Sequence, residues 1–389
     1  GHVAQAQSSL TVWQKRTMCV PPGGSREDLV AAIEEATIMA QSGSPQQLSV
    51  EELRMYKEKG FVLVRGLVPE KLADVIREQI IHHGLKESGL DAQDPRTWGR
   101  GGLAEAKQSC FDWLLSVFAS ESAYSGRRIG FGRGLDRDCR QDLSTSDFSL
   151  LMDAWRLAND LASRRLGVVM DQLAGPRVWR TCRSGDILGR DLHARYGLQA
   201  KSPHLSVNDF RWPLFGWHID GAWNLHFLGR KVPTRGQSSA EPDHACVAML
   251  AWNKTLPHGG MTGVICGSHK ENMNTIIAAE KRGGISNLWL LIRQSLFGGA
   301  AADPITLATG EQVMRAGDAL LMHPYLSHSS SWNFRQCLRL GGHLRVLYTE
   351  PMDANTLLEM CRGQSREAAA LGSPVPANTE LLLERLGSA

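Results

Sequence analysis

Residues 215–223 read Phe-Gly-Trp-His-Ile-Asp-Gly-Ala-Trp, which sets an imidazole, His218, and a carboxylate, Asp220, two positions apart among aromatic side chains. In an extended strand, positions i and i+2 point to one face, roughly 7 Å apart along the chain. His218 and Asp220 can therefore converge on one metal ion while Ile219 points the other way. A third ligand has to come from elsewhere. The segment 317–328, Gly-Asp-Ala-Leu-Leu-Met-His-Pro-Tyr-Leu-Ser-His, offers His328, with His323 as a rival on the same element. In a regular strand their odd spacing puts the two histidines on opposite faces. Two histidines and one carboxylate on one side of a metal, with open positions opposite, form the ligand set of non-haem Fe(II) sites.

Two further stretches bear on this constellation. Arg339 follows His328 closely, and a dicarboxylate held at such a metal needs a cation at the far end of its pocket. A guanidinium suits that task because its planar fork binds a carboxylate through two hydrogen bonds. Arg335 and Arg345 are alternatives. A turn over 329–333 is expected to bring the following strand back beside that of His328. The other stretch, 259–270 (Gly-Gly-Met-Thr-Gly-Val-Ile-Cys-Gly-Ser-His-Lys), reads as a glycine turn, a short strand and a second turn. Each piece also has a plain structural reading: a buried His–Asp hydrogen bond, a strand-end histidine, a solvent-facing arginine, a hairpin edge.

The bulk properties frame the site. With 389 residues the chain can bury a large core. It is 42% hydrophobic and 21% charged, an ordinary globular composition. The net charge of +3, from 43 basic and 40 acidic residues, does not point to a nucleic-acid or membrane-surface protein. No run of ~20 apolar residues suggests a membrane span. The eight cysteines have no CxxC spacing, so free thiols are expected, and with them a soluble protein inside the cell, in the cytoplasm or an organelle. Oligomeric state leaves no mark on the sequence.

The elements that must position these residues follow from periodicity and punctuation. A helix is expected over 26–41, and a second from the capping box Ser49-Val50-Glu51-Glu52 to Lys59, stopped by Gly60. Residues 61–68 read as a strand, and a helix follows Pro69 with Leu72, Val75, Ile76 and Ile80 as its stripe. A helix is expected within 103–118 and a long one over 148–166, with Leu151, Trp155, Ala158 and Leu161 inward. From 177 onward short β-like runs alternate with turns: 178–180, the His218 segment, 245–252, 263–266, 320–323 and 344–348. A helical stretch over 272–296 interrupts them. Many short strands separated by turns indicate a barrel or jelly roll. Helices return from Asn355, with a linker at 372–374. The division this implies is a peripheral helical segment (1–47), one catalytic domain (48–353) with helical insertions at about 84–176 and 271–301, and a C-terminal helical tail (354–389).

In this order the pieces resemble the phytanoyl-CoA dioxygenase family of Fe(II)/2-oxoglutarate oxygenases. The resemblance covers roughly 49–350. It rests on the helix-strand-helix opening with Gly60-Phe61-Val62-Leu63-Val64-Arg65-Gly66, on Trp217-His218-Ile219-Asp220, on Gly260 with Gly267-Ser268-His269-Lys270, and on Gly317-Asp318 with His328 and Arg339. It implies a mainly β fold with helical decoration (α+β) built on a double-stranded β-helix, the cupin-like jelly roll. It implies iron on His218, Asp220 and His328, and 2-oxoglutarate held at its far carboxylate by Arg339. O2 is the oxidant and ascorbate a possible reductant. The activity implied is a dioxygenase that hydroxylates an unactivated C–H of a small-molecule substrate, releasing succinate and CO2. Asp220 excludes a halogenase, because relatives that halogenate carry a small residue there to leave room for halide; a carboxylate there implies hydroxylation, or a desaturation or ring rearrangement run by the same iron chemistry. Phe215, Trp217, Trp223, Asn224 and Arg211 are the candidates for contacting substrate, with His226 a further polar one; Trp252 and Trp332 are read either as near the metal strand or as core packing, an alternative that holds for the other aromatics too. Insertions at about 230–243 and 272–301 depart from a minimal member and bear on substrate.

Two other readings use the same residues. One is a jelly-roll metal-binding protein without oxygenase activity, against which Arg339 and Asp220 both count. The other is an oxygenase acting on a nucleic-acid base, for which only Arg127, Arg128, Arg133, Arg137 and Arg140 speak.

Overall fold

A computed structural model describes residues 25–43, 46–87, 145–181, 193–195, 219, 244–255, 262–281, 305–306, 314–330, 339–349 and 354–387. In chain order the elements are α1 (Arg26–Ser42), α2 (Val50–Lys59), β1 (Phe61–Val64), α3 (Glu70–Glu87), α4 (Thr145–Leu173), β2 (Trp179–Thr181), β3 (His193–Arg195), β4 (His244–Ala251), β5 (Thr262–Val264), α5 (Ser268–Lys281), β6 (Ile305–Thr306), β7 (Ala319–Met322), β8 (His328–Ser330), β9 (Arg339–Tyr348), α6 (Ala354–Leu371) and α7 (Ala377–Gly387).

Local chemistry accounts for several boundaries. Ser25 and Ser49 each cap a helix through a reciprocal box, with Asp28 and Glu52 returning the hydrogen bond to the cap backbone. Gly60 ends α2 in the left-handed conformation, at φ +84°, as a C-terminal glycine does. β1 is shorter than its β-rich sequence suggests. It stops at Val64 because Gly66 takes φ +57° and turns the chain, while Leu67 and Val68 stay buried beyond the strand.

The strands form two sheets. Six make one sheet, in the order β1-β7-β4-β9-β2, with β3 also paired to β9; the other sheet is β6-β5-β8. Every pairing is antiparallel. Strand alternation gives the larger sheet two different faces. One face carries Val62 and Val64 of β1, Cys246, Ala248 and Leu250 of β4, Ala319 and Leu321 of β7, and Val346 and Tyr348 of β9. It packs on the helices through Leu72 and Ile76 of α3 and Ala158, Leu166 and Met170 of α4. The other carries Phe61, Leu63, Val247, Met249, Ala251, Leu320 and Met322, clustered with Val264 of the smaller sheet. The layers are therefore helices, larger sheet, smaller sheet.

The helices amount to more than decoration. Within the described residues they are longer in sum than the strands. α1, in the segment read as peripheral, places Leu29, Ala32 and Ala36 in the main core. α7 is bonded to β4: Tyr56 Oη donates to Asn378 Oδ1 (3.0 Å), and Asn378 Nδ2 donates to the Ala245 carbonyl (3.0 Å). Trp252 continues the helix-facing alternation of β4. It is fully buried and stacks on Trp155 of α4 at 5.5 Å between ring centroids, so it belongs to the helix-side core and not to a pocket wall. Cys246, Cys266 and Cys361 are free thiols. The expected helix at 103–118, the arginine-rich stretch 127–140 and the insertion at 230–243 lie outside the described residues.

Candidate metal centre

His328 opens β8 and stands directly opposite Val264 of β5. Residues directly opposite in an antiparallel pair share a face, and Val264 lies in the cluster between the sheets. His328 therefore belongs to the inter-sheet face. Its ring is buried, and Nδ1 lies 2.9 Å from the Leu326 carbonyl oxygen. A carbonyl can only accept, so Nδ1 carries a proton, and in the neutral ring the lone pair is on Nε2. That is how an imidazole is oriented for a metal: one nitrogen donates to a fixed acceptor, and the other becomes the ligand.

The loop before His328 is fastened on every side. The Leu326 N–H donates to the His323 carbonyl (2.9 Å). Ser327 N–H donates to Ser268 Oγ (3.0 Å), and Ile265 N–H to the Ser327 carbonyl (3.0 Å). Asn272 Nδ2 donates to the Tyr325 carbonyl (2.7 Å) and to Ser327 Oγ (2.9 Å). Ser268 and Asn272 sit one turn apart at the start of α5. The stretch 259–270, read as ending in a second turn, in fact ends by starting this helix at Ser268, just after Gly267 at φ +77°. Sequence reading missed both positioning residues. The available signal was their i, i+4 spacing, which puts two polar side chains on one helical face.

His323, the rival ligand, is committed elsewhere. Its Nδ1 accepts from the Tyr325 N–H (3.2 Å), so in the neutral ring Nε2 carries the proton. The ring lies against Tyr56, His269 and Tyr325 at centroid distances of 6.1, 5.1 and 5.6 Å. Burial, and then the neighbouring His269, push its pKa well below the ordinary histidine value. His269 donates from Nε2 to the Lys57 carbonyl (3.2 Å), and burial lowers its pKa to about 4. Asp318 is also structural. Its carboxylate accepts from Arg65 Nη1 (2.7 Å), Gly66 N–H (2.8 Å) and Arg315 N–H (2.8 Å), tying the turn before β7 to the end of β1.

Arg339 opens β9, opposite Arg195 of β3. Positions 341, 343 and 345 of β9 pair with Ala251, Met249 and Val247, the residues of β4 turned toward the smaller sheet. By the two-residue period, position 339 belongs to that same face. β9 does not return beside β8 as expected: β8 pairs with β5 in the smaller sheet, and β9 crosses to the larger one. The crossing puts His328 and position 339 on facing sheets.

Of the three expected ligands, His328 alone is described. Ile219 is buried, while His218 and Asp220 on either side of it lie outside the described residues, as do Phe215, Trp217, Trp223, Asn224, Arg211, His226 and Trp332. Among the described residues no three metal-ligating side chains come together. The donor chemistry nevertheless fits a divalent iron: one oriented imidazole is in place, and an imidazole and a carboxylate stand at strand spacing in the sequence.

No protein-family model and no curated protein matches the chain. Solved structures similar to it include the non-haem alpha-ketoglutarate-dependent carbocyclase SnoK from nogalamycin biosynthesis, at 15% identity over 79% of this chain and 87% of that one (TM-score 0.38). They also include EctD from S. alaskensis with 2-oxoglutarate and 5-hydroxyectoine, at 14% identity over 80% and 81% (TM-score 0.39). A third is HygX from Streptomyces hygroscopicus with nickel and 2-oxoglutarate bound, at 14% identity over 78% and 88% (TM-score 0.32). No helix among the described residues is long and apolar enough to cross a membrane.

Proposed function

We propose that the protein is a non-haem Fe(II)- and 2-oxoglutarate-dependent dioxygenase on a jelly-roll core, hydroxylating an unactivated C–H of a small-molecule substrate with release of succinate and CO2. The observation that carries this reading is His328: buried, on the inter-sheet face, its Nδ1–H donated to the Leu326 carbonyl, the orientation that makes Nε2 the nitrogen to serve as ligand. His218 and Asp220 would complete the triad. Bound iron supplies Lewis acidity and the activation of O2, chemistry that no side chain here can provide.

The remaining work falls to the chain. Arg339 would hold the far carboxylate of 2-oxoglutarate through a bidentate pair. Its register opposite Arg195 supports an anion there, since like charges directly opposite on a sheet are destabilising unless offset. The apolar cluster of Phe61, Leu63, Val264, Leu320 and Met322 backs the inter-sheet space and keeps it dry, which strengthens the Arg339–carboxylate attraction. Asp220 would take the ligand position a halide needs, which favours hydroxylation over halogenation. Phe215, Trp217, Trp223, Asn224 and Arg211 flank the metal segment in sequence and would orient the substrate.

Anaerobic titration with Fe(II) and 2-oxoglutarate tests this. The expected result is a weak visible charge-transfer band in wild type, lost in His218→Ala and in Arg339→Ala. Iron binding without any band in wild type would remove 2-oxoglutarate from the reading and leave a metal-binding β protein.

A further inference from the structure

We infer that the first turn of α5, through Asn272 and Ser268, is the positioning device for His328: it aims the Leu326 carbonyl, and that carbonyl aims the imidazole. The inference rests on the metal-centre reading above. Neither residue touches a reacting atom in it, and both act through the 325–327 loop.

The Leu326 carbonyl holds the His328 ring, so the ring's direction depends on the peptide plane of Leu326. Asn272 pins both neighbours of that residue. One Nδ2–H goes to the Tyr325 carbonyl before it (2.7 Å), and the other to Ser327 Oγ after it (2.9 Å). Ser268 Oγ takes the Ser327 N–H (3.0 Å). The Leu326 side chain is buried against Gly60, where even a methyl group would come within 2.7 Å of its Cδ1. Leu326 is thus fixed by its own side chain and N–H and by the contacts on both sides of it.

The orientation of the Asn272 amide is unambiguous. A carbonyl partner requires the NH2 group on that side, because a flipped amide would set two acceptors face to face. The consequence is that Asn272 Oδ1 is buried with no partner. A buried unsatisfied acceptor is unfavourable. An apolar side chain of similar size would avoid that penalty at the expense of both donors. Keeping the amide makes sense if holding the 325–327 loop matters more than the loss at Oδ1.

The test compares Asn272→Ala, Asn272→Asp and Ser268→Ala with wild type and with Tyr56→Phe, a stability control whose lost hydroxyl bonds to Asn378 and to no residue of the loop. Two readouts are needed. The first is the dissociation constant for Fe(II) under anaerobic conditions, with thermal denaturation alongside. The second is metal-free: the ring 15N shifts of His328 in histidine-labelled protein, assigned by their loss in His328→Ala. Wild type should show one tautomer, protonated at Nδ1. Both Asn272 variants should weaken Fe(II) binding about 10- to 100-fold, the range for losing an orienting partner, and mix the tautomers. Asn272→Asp keeps the shape and removes the donors, so it should behave like Asn272→Ala. Ser268→Ala, the milder change, should shift both readouts in the same direction and keeps the test alive if the Asn272 variants do not fold. Tyr56→Phe should lower the melting temperature and leave both readouts unchanged. Iron affinity lost in His328→Ala but unaltered in the α5 variants overturns the positioning role alone. Wild type that binds no iron overturns the metal-centre reading and this inference with it. An unaltered tautomer in the variants overturns the positioning role independently of any metal.

Discussion

His323 and His328 lie on one short stretch, both buried, and the structure gives them opposite tautomers. His323 accepts at Nδ1 from a backbone N–H, so its proton sits on Nε2, inside a cluster of rings. His328 donates at Nδ1 to a backbone carbonyl, so its lone pair sits on Nε2, on the face between the two sheets. Residue type and burial are the same. What differs is which backbone group each ring meets, and that follows from where the strands begin and end. β7 stops at Met322, so His323 falls in the turn. β8 starts at His328, so it takes a strand register opposite Val264. A candidate ligand is thus distinguished by its second nitrogen.

The largest expected effect breaks the pair apart. His328→Ala should lower Fe(II) affinity by about 100-fold or more, through loss of a ligand together with its oriented geometry, at modest expense in stability. His323→Ala should act mainly on stability, by about 3 kcal/mol, because it opens a cavity in a ring cluster and leaves the Tyr325 N–H without its acceptor. Metal titration and chemical denaturation of both variants check this. Equal iron affinities for the two would erase the distinction.

Gly60 adjoins both histidine environments. Its carbonyl accepts the His323 N–H at 2.8 Å, and its Cα faces His269 and Leu326. An added Cβ would approach His269 Nδ1 to 2.5 Å and Leu326 Cδ1 to 2.7 Å, at a backbone φ of +84° that disfavours any L side chain. Gly60→Ala should therefore destabilise by about 2–4 kcal/mol, summing left-handed strain and overpacking. Denaturant midpoints measure the loss. A loss under ~1 kcal/mol would mean the contact yields easily and Gly60 does not brace the loop.

Much of this arrangement was legible in the sequence, and the parts that were not share a cause. The boundaries of α1 and α2 are written in local chemistry, by Ser25 with Asp28, Ser49 with Glu52, and Gly60. The strand periods of β4 and β7 show as apolar runs because both faces are covered. The start of α5 at Ser268 lies four residues before the expected 272 because its first turn is polar: Ser268 and Asn272 are used on a loop distant in sequence, and no apolar stripe announces them. The crossing of the chain from β8 to β9 between sheets is likewise set by long-range pairing, which the turn residues at 329–333 do not encode. For Trp252 the sequence left pocket wall and core packing both open, and the period of β4 sends it to the helices. The triad could be proposed from residue type and spacing; the tautomer of His328 required the Leu326 carbonyl to be located.

Acid should sharpen the comparison from the other side. His269 titrates at about 4 in the folded protein and near 6.5 when unfolded, and His323 is also depressed. Both are neutral in the native core, so below about pH 6.5 the unfolded chain binds protons that the folded one does not. Stability then rises with pH in this window, and falls as pH drops from about 6.5 toward 4. The His269 share is on the order of 3 kcal/mol and levels off below about pH 4. Urea midpoints across this window should show the decline in wild type and a shallower one in His269→Phe. Identical slopes would mean that the ring near Gly60 is not held neutral.

The smallest effect concerns the support beneath His323. Tyr56 is fully buried, its ring 6.1 Å from that of His323, and its hydroxyl donates to Asn378 Oδ1. Asn378 in turn holds the Ala245 carbonyl at the start of β4, so this chain of bonds helps the C-terminal helix close on the core, beside the Lys57–Glu380 ion pair. Tyr56→Phe keeps the ring and its packing. It removes one donor and leaves a buried amide oxygen with nothing to accept, which costs about 1–2 kcal/mol. The loss falls entirely on the His323 side, because no bond in that chain reaches the 325–327 loop. Thermal denaturation should register it while iron affinity stays at the wild-type value. A parallel fall in affinity would show that the two histidines share one cooperative support, and their opposite tautomers would then mark two ends of a single network instead of two separate roles.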